Sequence, residues 1–243
     1  MYLSIVIPAY NEEKNLEISI FKFVSYLEAK EYDYEIIIVN DGSTDKTRDV
    51  CLKIIDKNKK IKLINDVVNR GKGYAVRAGF KNAVGDFMLF IDADNATSID
   101  HLDKAEVFMD KGYDLIIGSR STHDAQGARQ RIKQVYWKRM MGLYGNFIIR
   151  KLTNEKIRDT QCGFKILKKD FAKKIIPKLT IDRWGFDVEI IAMARLFRAK
   201  IEIIPVVWNN SDMSRVGIKG YFASLKDVLK IRKNMKEKKY EID

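Results

Sequence analysis

Short β-branched runs alternate with helix-length amphipathic stretches through the first half of the chain. No other feature restricts the fold as much. Residues 3–7 make a β-branched, largely apolar run that closes on Pro8; residues 35–40 read EIIIVN; residues 61–65 and 86–91 are expected as a third and a fourth strand. Strands that are apolar at every position are buried on both faces, as parallel strands covered by helices are. Helix signals fill the gaps. Leu16, Ile20, Phe23, Val24 and Leu27 make one face of a helix expected to reach about Lys30, with Asn11 as cap and Glu12 and Glu13 in its first turn. A second helix is expected from Thr44 or Asp45 to about Lys57, and a third from residues 71–73 through Asn82. The expected class is α/β, with a mostly parallel sheet and helices on both faces. Such sheets bind ligands at the carboxyl ends of their strands. The polar turns after Ile7, Asn40 and Ile91 should therefore share one edge.

Further along, a helix at 99–111 and a strand at 115–117 lead to Gly118, Ser119 and Arg120, followed by a polar loop at 121–133. An aromatic amphipathic segment spans 134–152, a turn-rich motif 158–169, a helix 185–198 and a strand 201–207. The last stretch is helical and strongly basic, so the expected division is one domain over 1–217 and a basic amphipathic tail over 218–243. Cys51 and Cys162 supply neither a disulfide framework nor a zinc cluster and fit a reducing cytosol. Lys and Arg number 45 against 33 acidic residues, a net charge of +12 that asks for an anionic partner. Glu12, Glu13 and Lys14 interrupt the first apolar run too early for a signal peptide. The charge-free stretch 140–149 is about half of the ~20 residues that span a bilayer. A cytoplasmic protein is expected, held peripherally at the membrane by its basic tail.

Four turns carry the chemistry. Asp92 and Asp94, one residue apart after the apolar FMLFI, can meet a divalent cation together with the phosphates of a nucleotide. Asp41 follows a buried strand and either accepts from a base N–H or shapes the turn before Gly42. Pro8, Tyr10 and Glu12 lie on the same edge, with Tyr10 able to stack on a base. The turn NRGKG, with Arg70 and Lys72, opens a helix whose amides favour a phosphate. It lacks the third glycine of a dinucleotide fingerprint and follows the third strand, so a redox Rossmann domain is a poor match.

IPAYNEE (7–13), VNDGSTDKT (39–47), NRGKG (69–73) and DAD (92–94), in this order, resemble family 2 glycosyltransferases with the GT-A fold. GSR (118–120), IRDTQCGFK (157–165), DRWGFDVEI (182–190) and VVW (206–208) resemble the dolichyl-phosphate glucosyltransferases within it. The resemblance covers about residues 2–232. It implies a nucleotide-sugar donor, a divalent metal such as Mg²⁺ or Mn²⁺, inversion at the anomeric carbon, and a polyprenyl phosphate acceptor on the cytoplasmic leaflet. UDP-glucose is the first expectation for the donor and UDP-GlcNAc the second. Ala96 stands where related mannosyl enzymes often carry Gln, and Asn95 where glucosyl enzymes usually carry Gly.

The site expected from these readings has Asp94 and Asp92 on the metal, and Asp92, Asp94 and Asp187 at the reaction centre. Pro8, Tyr10, Glu12, Asp41, Arg70, Lys72, Asp92 and Arg215 would hold the donor, and Arg120, Arg131 and Asp159 the acceptor. Glu189 is a further candidate for sugar hydroxyls, and an Arg158–Asp159 ion pair is the structural alternative for that motif. Two rivals are a family 2 transferase acting on a saccharide hydroxyl, and a non-catalytic basic module for membranes or nucleic acid. No stacking-aromatic motif of an RNA-binding sheet occurs, so nucleic acid is not an expected partner.

Overall fold

The computed structural model describes residues 1–130, 156–209 and 218–241. Its main sheet holds β1 (Tyr2–Ala9), β2 (Asp33–Asp41), β3 (Ile61–Asp66), β4 (Phe87–Ile91), β5 (Leu115–Ser119), β7 (Phe164–Lys168) and β8 (Ile201–Pro205). The spatial order is β3-β2-β1-β4-β7-β5-β8. β1 to β4 pair in parallel, as do β5 and β8, while β7 runs antiparallel between β4 and β5. Two short strands, β6 (Arg129–Gln130) and β9 (Val207–Trp208), pair beside it.

The period of two along β1 divides the core. Leu3, Ile5 and Ile7 pack with Phe23 of α1 (Leu16–Ala29), Cys51 of α2 (Thr47–Lys57) and Leu102 of α4 (Leu102–Asp110). Val6 packs on the other face with Phe80 of α3 (Lys72–Asn82), Phe171 of α5 (Lys169–Ile175) and Ile190 of α6 (Phe186–Leu196). Helices therefore cover both faces, and the ends of β1, β2 and β4 meet at one edge.

Three local expectations change. α1 starts at Leu16, because Asn11 turns into the left-handed region at φ 55° and bonds a neighbouring loop instead of capping the helix. Residues 164–168 are a strand and not a turn-rich motif, since the buried Lys165 breaks an otherwise apolar run. The basic tail is not a separate appendage. Its helix, α7 (Ile218–Lys236), puts Val228 and Ile231 into the same core as α6, and Tyr240 beyond it is fully buried there. Among the described residues no helix is long and apolar enough to cross a membrane.

Candidate active site

The first two loops of the edge are bonded into one surface. The Asn11 amide donates to Ser43 Oγ at 2.9 Å and the Glu12 amide to Thr47 Oγ1 at 2.7 Å. Asn11 Oδ1 accepts from the Thr44 amide at 2.8 Å, and Glu13 Oε2 from the Lys46 amide at 3.0 Å. Pro8 lies partly buried one residue before the end of β1, Tyr10 is exposed on the rim, and Glu12 accepts from Asn15 Nδ2. These reciprocal bonds explain why Asn, Glu, Ser and Thr crowd both loops: each satisfies a backbone group the other strand end leaves open.

Asp41 is 2% exposed at the end of β2. Its carboxylate accepts from Asn69 Nδ2 at 2.9 Å and from the amides of Arg70 and Gly71 at 2.8 Å each. Three of roughly four acceptor positions are thus occupied by the NRG turn. The carboxylate shapes the turn that opens α3, with at most one position left for a base. Arg70 lies on that turn with its guanidinium over the Tyr74 ring, Nη1 donating to the Tyr74 hydroxyl. Asp41→Ala is expected to lower affinity for the nucleotide that the sequence resemblance implies about tenfold or more, because several charge-assisted bonds shape the turn. Calorimetry with UDP checks this, and an unchanged affinity would mean the turn holds itself.

Below that turn lies a row of alternating charges. Lys72 Nζ reaches Asp92 Oδ1 at 2.6 Å and lies over the Phe90 and Trp184 rings. Burial pulls the Lys72 ammonium down, but Asp92, Asp187 and Asp94 outweigh it and hold its pKa above the ordinary value. Asp187, in the first turn of α6, accepts from Lys165 Nζ at 2.5 Å. Lys165 is fully buried on β7 and also donates to the Cys162 carbonyl at 2.7 Å. Burial raises the Asp187 carboxyl above its usual range against the opposing pull of Lys165 and Lys72. The charge of Lys165 is acceptable inside only because it is paired and hydrogen-bonded.

Asp92 is seated against Gly163, where an added Cβ would stand 2.0 Å from Asp92 Oδ2. Gly163→Ala should displace Asp92 and reduce transfer ~100-fold, as misplacement of reacting groups by about 1 Å does. Steady-state kinetics with a melting curve checks it; wild-type turnover by the variant would remove Asp92 from the reaction centre. Asp94 Oδ1 accepts from the Ala96 amide at 2.9 Å. Asn95, which follows Asp94, has φ 51°, a backbone shape that suits Asn or Gly at this position. Asn95 Oδ1 is buried with no hydrogen-bond partner among the described residues. Asp92, Asp94 and this unsatisfied amide oxygen, within four residues of one another, are hard oxygen donors of the kind that suit Mg²⁺ or Mn²⁺ completed by phosphates. Among the described residues no cluster of three or more His, Cys, Asp or Glu could serve as a full protein cage.

The acceptor candidates meet each other. Asp159 pairs with Arg120, in place of the Arg158–Asp159 ion pair expected as the structural alternative. Arg120 donates from its amide at 2.7 Å and from Nε at 2.8 Å to Asp159 Oδ2, and from Nη2 at 2.7 Å to Oδ1. Burial would raise the Asp159 carboxyl, but Arg120 outweighs it and keeps its pKa below the ordinary value. The Arg120 guanidinium also lies 5.3 Å from the Trp208 ring centroid. Asp124 fixes the approach, accepting from Ser119 Oγ and from the amides of Arg158 and Asp159 at 2.8 Å each.

Arg131, Arg215 and the aromatic segment 134–152 lie outside the described residues. Glu189 is fully buried and takes no part in the site. It accepts from the Thr180 and Ile181 amides and from the Tyr240 hydroxyl, tying α6 to the chain end. Cys162 is an inert buried thiol, pushed up to about 12 by burial. Sequence reasoning missed Lys165, which looks like any lysine until its burial is known.

Residues 4–176 match the profile of glycosyl transferase family 2. The chain belongs to that family. It is 36% identical over 95% of its length to a dolichyl-phosphate beta-glucosyltransferase of Trichomonas vaginalis, covering 73% of that protein. It is 35% identical over 95% of its length to the dolichyl-phosphate beta-glucosyltransferase of Homo sapiens, covering 74% of it. In fold it is similar to mannosyl-3-phosphoglycerate synthase from Rubrobacter xylanophilus, with TM-score 0.68 and 16% identity over 98% of this chain and 76% of that one. It is also similar to glucosyl-3-phosphoglycerate synthase from Mycobacterium tuberculosis in complex with Mn²⁺, UDP-glucose and phosphoglyceric acid. That match has TM-score 0.65 and 17% identity over 96% of this chain and 80% of the other. The fold is thus GT-A, and this family 2 protein is a glycosyltransferase.

Proposed function

We propose that this glycosyltransferase moves glucose from UDP-glucose to the phosphate of a dolichyl-type polyprenyl phosphate, with inversion at C1. The reading rests on the likeness over nearly the whole chain to dolichyl-phosphate beta-glucosyltransferases, whose name states both sugar and acceptor. In the transfer an oxygen of the lipid phosphate bonds to C1 while the bond from C1 to the diphosphate oxygen breaks. The electron pair leaves with UDP.

A phosphate acceptor is already anionic near neutral pH, with a second pKa of ~6. It needs cations to offset repulsion more than a base to remove a proton. The site agrees: Asp92 is paired with Lys72, Asp187 with Lys165, and Asp159 with Arg120. Arg120 keeps Nη1, which makes no hydrogen bond among the described residues, for the acceptor phosphate. Lys72, 21% exposed beside Asp92, offers its ammonium to the diphosphate. Asp92 and Asp94 would hold Mg²⁺ or Mn²⁺, which when bound supplies Lewis-acid stabilisation of the leaving diphosphate. Pro8, Tyr10 and the Asp41-ordered turn frame the nucleoside end. The exposed basic side of α7 and the tail supports a peripheral seat on an anionic cytoplasmic leaflet.

A panel of radiolabelled nucleotide sugars with polyprenyl phosphate, read by lipid extraction, tests the reading. UDP-glucose should label the lipid. Labelling of soluble saccharides in place of lipid would favour transfer to a hydroxyl, and a mobility shift with nucleic acid but no transfer would favour the non-catalytic module.

A further inference from the structure

His101 opens α4 and is 6% exposed, outside the row of charges described above. Its Nε2 accepts the Val207 amide at 2.7 Å, and Nδ1 lies 3.3 Å from Asp100 Oδ1. The imidazole packs edge-on to Phe164 of β7, with 6.2 Å between centroids. Val207 begins β9, a strand of two residues that joins two parts of the site. Trp208 bridges to Thr97, and the Asn209 amide donates to the Ala96 carbonyl at 2.8 Å, which ties β9 to the loop carrying Asp94. On the other side the Trp208 ring lies against the Arg120 guanidinium. So short a strand has few bonds of its own, and β6 beside it is equally short.

We propose that His101 is a positioning residue for the transfer reaction. Through the Val207 amide it holds Trp208 against Arg120 and so fixes the guanidinium that meets the acceptor phosphate. The inference rests on the acceptor role proposed for Arg120. The stack limits the rotation of a guanidinium already bonded along one edge by Asp159, which leaves Nη1 in a defined place.

An imidazole accepts at Nε2 only while neutral, with its proton on Nδ1 facing Asp100. The groups acting on it are Asp100 and Lys104, with the Val207 amide and the Phe164 edge completing its surroundings. Burial lowers its pKa and Lys104 adds to this, while Asp100 opposes them. A histidine lowered in the folded state keeps its bond above the ordinary value of ~6.5 and loses it as pH falls through the folded value.

His101→Leu removes the acceptor atom, whereas His101→Gln offers an amide oxygen that does not titrate. In the Leu variant the KM for polyprenyl phosphate should rise ~10-fold from loss of the cation–π stack, with UDP affinity by calorimetry unchanged. The Gln variant should stay within about twofold of wild type at neutral pH. As pH falls below ~6.5 and through the folded value, it should also lose less activity than the wild type. Hydrogen exchange at the Val207 amide reads the same bond without substrate and should quicken in the Leu variant alone. Three results would overturn the proposal: unchanged acceptor KM in the Leu variant, equal losses of UDP and acceptor binding, or identical acid limbs in wild type and Gln variant. Absence of transfer to polyprenyl phosphate by the wild type would instead overturn the function proposed above, while Val207 exchange still decides the bond.

Discussion

Asp94→Ala is expected to abolish glucosyl transfer, with a loss of at least ~1000-fold in turnover, while the fold survives. The argument is one of charge. In the proposed transfer a leaving diphosphate would develop negative charge beside Asp92, and Lys72 is the cation that the described residues place on Asp92. One ammonium cannot neutralise both. Asp94 lies partly exposed on a loop after β4, and its removal takes the acceptor from one backbone amide, that of Ala96, so the melting temperature should fall by only a few degrees. Asp94→Asn should be nearly as inactive, because it keeps the shape and removes the charge. Excess chelator should silence the wild type, and Mn²⁺ or Mg²⁺ should restore it. Full turnover in chelator would sink the metal reading, and normal turnover by Asp94→Ala would sink this residue's part in it.

The strands and the binding edge were legible because burial on both faces leaves nothing but apolar residues in the run. EIIIVN and FMLFI admit few other structures, and the carboxylates that follow them are held at strand ends by the parallel geometry. What escaped was pairing between distant residues. β7 was hidden because Lys165 interrupts FKILK, and only its contact with Asp187, 22 positions away, makes that lysine tolerable inside. Arg120 and Asp159 each looked like a ligand-facing charge, and 39 positions separate them. His101 gave no signal at all, since its role depends on an amide 106 positions away. Local periodicity reports burial, but it carries no information about which buried charges are neighbours.

Deleting residues 218–243 is expected to unfold or strongly destabilise the protein, an effect far larger than the loss of a surface anchor. The basic side of α7 faces solvent, but its other side is part of the core. Val228, Ile231 and Tyr240 are fully buried, and each apolar side chain contributes roughly 1.5–3 kcal/mol. Truncation also removes Asp227, whose Oδ2 accepts the Gly185 amide at 3.0 Å just before α6 begins. Gly185 allows that approach, since an added Cβ would lie 2.4 Å from Asp227 Cβ. Glu189 would lose the Tyr240 hydroxyl at 2.7 Å, and Thr180 Oγ1, which bonds it, would lose Asn234. An unsatisfied buried group costs about 1–3 kcal/mol, and more when charged. Together these losses approach the ~5–15 kcal/mol that holds a typical domain. Because α6 carries Asp187, even a truncated chain that stays folded should be inactive on a short, detergent-soluble acceptor. The anchor must therefore be tested by charge. Lys226, Lys233 and Lys236 changed together to Glu should leave melting and short-acceptor kinetics near wild type. Sedimentation with anionic vesicles should fall, most clearly at low salt, because exposed charges are screened over ~8 Å at physiological ionic strength. Circular dichroism of the truncated chain checks the first expectation, and a cooperative melt at the wild-type temperature would show that α7 is only an attachment to the core. Vesicle binding unchanged by the three charge reversals would remove the tail from the membrane contact.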